Sequence, residues 1–208
     1  VKPKVASTIY DRLDELAVKE HNRLKLGGRD RVVLTEMYPD CLTRLSPDTT
    51  DQPHVHRVLM MADTNHVPTH YQLHVIKDDL KKNGTSSLDN QSLRSEIEEV
   101  ISEMTLPEST VVTGSGIHAI QGASSVQEVI QLCDDIDMAH FLTSRIWRQA
   151  ITLCTASRDL CSGSINVVCA NAVQRYLLAA LYRLRFGDGF YEHILRLLAN
   201  EYTGKSDV

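Results

Sequence analysis

Residues 110–119 read "TVVTGSGIHA", a β-branched run followed by Gly114, Gly116 and Ala119 in G-x-G-x-x-A spacing. The chemistry this spacing suggests is anion binding. Glycines let a backbone approach a phosphate, and a following helix N-terminus aims its N–H groups at it. An acidic residue about twenty positions on, Asp134 or Asp135, would meet a ribose hydroxyl in such a unit. Two features oppose that reading. Lys and Arg are absent from residues 95–144, and residues 124–202 read as helix, which leaves no second parallel strand. Gly114 and Gly116 are therefore expected to turn the chain between two helical units, with Val111, Val112 and Ile117 tucked inward. No cofactor is expected.

Histidine is the second candidate. Five of the nine fall within residues 54–74: His54, His56, His66, His70 and His74. If residues 70–77 are helical, His70 and His74 stand at i, i+4 and present two imidazoles to one metal ion. His54 and His56 would share one side of a strand, and Asp63, Asp78 and Asp79 are nearby carboxylates. No H-E-x-x-H pattern accompanies them, so hydrogen-bonded histidines without a metal are the expectation.

Nucleophiles are weaker candidates. The chain has no G-x-S-x-G elbow, and the sequence proximity of Ser115 and His118 does not make a triad. Cys161 precedes a helix start, where a thiolate is favoured. The five cysteines are odd in number and form no C-x-x-C pair, which fits free buried thiols in a reducing compartment. The basic run "HNRLKLGGRDR", residues 21–31, has no interleaved aromatics for stacking bases.

The charge pattern restricts the partners. The net charge is −5, yet residues 86–140 hold one Lys/Arg against ten Asp/Glu. An acidic middle argues against a nucleic-acid groove and suits a partner with a basic face. No run is apolar and long enough to span a bilayer, and no basic-then-apolar leader opens the chain. The start at Val1 rather than Met is expected of a piece of a longer protein.

The elements that must position these residues read as helices. Residues 5–26 place apolar side chains near one face, with Gly27-Gly28 expected to end the helix. Val32-Val33-Leu34 is a candidate short strand, and residues 70–77 are read as helix. Leu93, Ile97, Val100, Ile101 and Met104 follow a helical face. Ser125-x-x-Glu128 is a capping box. Asp137 is expected to cap a helix running to residue 155. Residues 164–186 are apolar on almost every face, and Phe190, Ile194, Leu197 and Leu198 mark a final helix.

The expected fold class is all-α: an irregular bundle of roughly eight to ten helices around a buried central helix near 164–186. A small β element is allowed within 30–77. Residues 1–50 are an N-terminal helical segment packed on a bundle domain of residues 51–208, or one domain spans 1–208. The expected function is a non-enzymatic protein–protein interaction or scaffold domain of an intracellular complex. It would bind its partner through helix-lined grooves or an acidic face, with a homo-oligomer also compatible. Glu96, Glu99, Glu103, Phe190, Tyr191 and Arg196 are the candidate contacts. The alternatives are a metal-binding enzyme or metal-stabilised domain using the histidines, and a nucleic-acid-associated protein.

Overall fold

A computed structural model describes residues 3–42, 56–77, 90–161 and 166–203. His54 lies outside them. The described elements are α1 (Pro3–His21), β1 (Leu26–Gly27), β2 (Val32–Tyr38), β3 (Val58–Asp63), β4 (His70–Val75), α2 (Asn90–Met104), β5 (Thr105–Leu106), β6 (Thr110–Thr113) and β7 (Ser124–Ser125). After these come α3 (Val126–Leu132), α4 (Ile136–Thr143), α5 (Arg148–Ala156), α6 (Val167–Phe186) and α7 (Phe190–Thr203). Short 3-10 turns cover Arg145–Trp147, Ser157–Cys161 and Gly187–Gly189.

The chain divides into two compact units: residues 25–177, and residues 1–24 with 178–208. The larger unit is built on a five-stranded mixed sheet in the order β4-β3-β2-β6-β7. β4, β3 and β2 run antiparallel, while β6 lies parallel to β2 and β7 parallel to β6. β1 and β5 form a separate parallel pair.

The all-α expectation is thus wrong: the fold is mixed α/β. The physical reason lies in β3. Its six residues, Val58-Leu59-Met60-Met61-Ala62-Asp63, are all buried. A strand covered on both faces is apolar without alternation, and by periodicity it resembles a buried helix segment. Once β3 is a strand, residues 70–75 pair with it residue for residue, from Val58 opposite Val75 to Asp63 opposite His70. The ladder overrides the helix expected over residues 70–77. The small β element allowed within 30–77 is therefore the centre of the sheet.

α2 covers the sheet as its spacing predicts. Ile97, Val100 and Ile101 join Val33, Met37, Leu59, Met61 and Ile76 in the core, with Leu93 and Met104 packed alongside. The capping box at α3 is present: Glu128 N–H donates to Ser125 Oγ, and Ser125 N–H to Glu128. The next cap is Asp135 rather than Asp137; its carboxylate accepts from Asp137 and Met138 N–H at 2.9 and 3.1 Å. The helix expected to run to 155 breaks at Ser144 into α4, a 3-10 turn and α5.

The region near 164–186 is not a helix enclosed on all sides. In α6, Val167 and Val168 are 59% and 80% exposed, while Cys169, Ala170, Val173 and Leu177 are buried. In the smaller unit, Leu13, Leu16, Ala17, Tyr182, Phe190 and Ile194 form a core. Arg183 donates to Asp14 at 2.5 Å there, and the Tyr182 hydroxyl lies 2.7 Å from His193 Nε2. Gly187 follows α6 at φ +51°, a left-handed conformation that glycine adopts without penalty. Gly27 and Gly28 do not end α1, which stops at His21; they follow as β1 and its turn.

Candidate functional site

The glycine turn does bind an anion, and the anion is the chain's own. Glu36 points from β2 with 2% of its surface exposed. Its Oε1 accepts the Met37 N–H at 2.9 Å and the Gly116 N–H at 3.1 Å. Gly114 N–H donates to Thr35 O at 2.7 Å, which fixes the turn against β2. A methyl group on Gly114 would stand 2.5 Å from the Glu36 carboxyl carbon, and one on Gly116 2.8 Å from Oε1. The glycines are needed for close approach, but to Glu36 rather than to a phosphate.

The space that remains is small. A cavity of about 20 Å³ beside Gly116 is lined by Arg57, Arg94, Ile97, Ile117 and His118. It has room for about one water molecule, whereas ligand pockets start near ~300 Å³. The cations missing from the local sequence come from elsewhere in the fold. Arg57 donates to Asp40 at 2.9 Å and Arg94 to Glu98 at 2.8 Å, so both already meet carboxylates. The strand expected to be absent also exists, as β7, but a loop of residues 114–123 joins it to β6 where a dinucleotide fold would have a helix. Gly114 and Gly116 link strand β6 to that loop and not two helical units.

The histidines disperse. His70 and His74 lie on a strand, where i and i+4 stand about 13 Å apart, too far to share an ion. His70 stacks on His66 with ring centroids 3.8 Å apart. His66 Nε2 is 3.3 Å from Arg31 and 3.6 Å from Asp63. His74 Nε2 is 3.2 Å from Glu96 Oε1. His56 takes a different route: its ring lies with the sulfurs of Cys161 and Cys169, one donor atom from each residue falling within 4.8 Å of the others. Cys161 and Cys169 are joined by a disulfide, which corrects the expectation of free thiols for these two. Cys41, Cys133 and Cys154 stay outside it. Burial raises the pKa of the Cys154 thiol well above its ordinary value.

The candidate partner contacts also separate. Glu96 accepts Lys77 N–H at 2.8 Å and ties α2 to the residues after β4. Glu99 and Glu103 are exposed and line an open groove of about 410 Å³ with His74, Lys77 and Glu96. Phe190 belongs to the core of the smaller unit at 3% exposure. Tyr191 is exposed, and Arg196 pairs at the surface with Glu192.

One feature of the α3–α4 corner escaped the sequence reading. Leu132 and Ile136 are 88% and 87% exposed, and Met138 is 42% exposed. Asp134, Asp135 and Asp137 lie among them and are exposed as well. The inward face of α3 is formed by Val126, Val129, Ile130 and Cys133, and Leu132 lies off that face.

No protein-family model, curated protein or solved structure matches the chain. No helix among the described residues is long and apolar enough to cross a membrane.

Proposed function

We propose that the chain is a non-enzymatic protein–protein interaction module of an intracellular complex, and that it docks a basic amphipathic segment of its partner on the α3–α4 corner. The carrying observation is the exposure of Leu132 and Ile136, at 88% and 87%, within an acidic surface. Burying each of these side chains against a partner contributes about 1.5–3 kcal/mol. The absence of Lys and Arg from residues 95–144 leaves the surrounding negative charge without local compensation in sequence. Cations on the partner supply that compensation and speed encounter. The same charge disfavours nucleic acid.

The test uses a synthetic amphipathic helix with lysines on one face and leucines on the other, and a twin with glutamates replacing the lysines. Titration calorimetry is expected to show the lysine peptide binding with an affinity that falls as salt rises. Leu132→Lys or Ile136→Lys should weaken it at least tenfold. Equal binding of the glutamate twin, or no effect of either substitution, defeats the reading. Self-association of the chain that Leu132→Lys abolishes, without peptide binding, replaces it with a homo-oligomer.

A further inference from the structure

We propose that His56, Cys161 and Cys169 form a redox-gated zinc site, an inference independent of the docking surface. One donor atom from each of the three residues falls within 4.8 Å of the other two. His56 and Cys169 are buried and Cys161 is partly exposed, so the cluster is enclosed but reachable. The residues arrive from separate parts of the larger unit: the chain just before β3, the last residue of the 157–161 turn, and the first turn of α6. The Asn166 side chain accepts the Cys169 N–H at 2.8 Å, and its carbonyl accepts the Ala170 N–H at 2.9 Å. Cys169 is thereby fixed at a helix start, where the backbone dipole favours negative charge.

Cys161 and Cys169 have their Cα atoms 5.6 Å apart and are bonded as a disulfide. In that state neither sulfur offers a thiolate. Reduction supplies two. A tetrahedral zinc ion with Zn–S bonds of about 2.3 Å places two sulfurs roughly 3.8 Å apart, within reach of side-chain rotation. One imidazole and two thiolates suit Zn²⁺ and not Mg²⁺ or Ca²⁺, which take oxygen ligands. The two thiolate charges cancel the charge of the ion, so burying the assembly leaves no net charge to desolvate. Three protein ligands leave a fourth position for water.

The chemistry balances in both directions. A dithiol reductant passes two electrons and two protons to the Cys161–Cys169 bond and becomes a disulfide itself. Zn²⁺ then displaces the two thiol protons to solvent while neutral His56 adds a lone pair. In reverse, a disulfide oxidant takes two electrons from the zinc-bound thiolates, leaves as two thiolates, and Zn²⁺ is released.

The test uses the full chain, reduced with a phosphine that leaves no thiol behind, and Co²⁺ as a coloured probe. The reduced chain is expected to bind one Co²⁺ with thiolate-to-metal charge-transfer absorption, which Zn²⁺ then bleaches. The oxidised chain should take up none. The Cys161→Ser, Cys169→Ser double variant should bind none, and His56→Gln should bind at least tenfold more weakly. Wild-type protein provides a check that needs no variant to fold: bound Zn²⁺ should protect Cys161 and Cys169 from alkylation, read by mass spectrometry, while Cys133 still reacts. A folded, reduced chain without metal, uptake that survives loss of both cysteines, or full affinity in His56→Gln overturns the proposal.

Discussion

Gly114→Ala lowers the stability of the chain by about 2–4 kcal/mol, and by the scaling for chains of this size the melting temperature falls roughly 5–15 °C. The added methyl group would meet the Glu36 carboxyl carbon at 2.5 Å, with Oε2 closer still and Oε1 at 2.8 Å. Glu36 has nowhere to retreat, because it is 2% exposed and its carboxylate already accepts from Met37 and Gly116 N–H. Either the carboxylate moves and leaves buried donors unsatisfied, or β6 moves away from β2. Gly189→Ala is the control: nothing lies within 4 Å of its added methyl group, and the expected change is within ~0.5 kcal/mol. A double-mutant cycle identifies the cause. Glu36→Ala removes the obstructing group, so Gly114→Ala should cost much less in that background than in wild type. Thermal and urea unfolding of the four proteins measure it. Equal cost in both backgrounds, or a wild-type melting curve for Gly114→Ala, refutes the account.

The same turn shows how far the sequence could be read. From sequence alone Gly114 and Gly116 read as a turn between two helical units and not as an anion site; in the fold they close on the Glu36 carboxylate. The identity of the anion was hidden because Glu36 lies on another strand, and only the parallel pairing of Val32–Thr35 with Thr110–Thr113 brings it there. Local signals were legible where the physics is local. The face of α2 and the Ser125 capping box depend on residues within a few turns of each other, and both are present. The strands were illegible for the opposite reason. β3 is buried along its whole length and has no alternation, and β4 is a strand only because β3 is beside it. The cluster of His56, Cys161 and Cys169 joins residues with no sequence spacing to read. Leu132 and Ile136 drew no signal, because a single exposed apolar residue off a helix face carries no pattern to read.

Asp63 carries the second large effect, and its sign follows from its surroundings. It ends β3 at 1% exposure. Oδ2 accepts the Gly27 N–H at 2.8 Å, and Oδ1 accepts the Asn65 N–H at 2.9 Å and the Asn65 side-chain amide at 3.3 Å. Burial pushes the carboxyl pKa up, but the hydrogen bonds from Asn65 and Gly27, with the nearby His66, outweigh it and hold the group below its ordinary value. A carboxyl depressed in the folded chain stabilises it fully above the unfolded pKa near ~3.9, and that contribution disappears as pH falls through the folded value. Asp63→Asn removes the charge at every pH and turns one acceptor into an amide facing a donor. The expected loss at pH 7 is about 2–3 kcal/mol, the range of charge-assisted bonds to a buried acceptor. At acid pH the wild type loses its own advantage, so urea unfolding should show the gap between the two proteins narrowing as pH is lowered toward ~3. A gap that stays constant or widens on acidification would mean that the carboxylate charge is not what holds β1 to the end of β3.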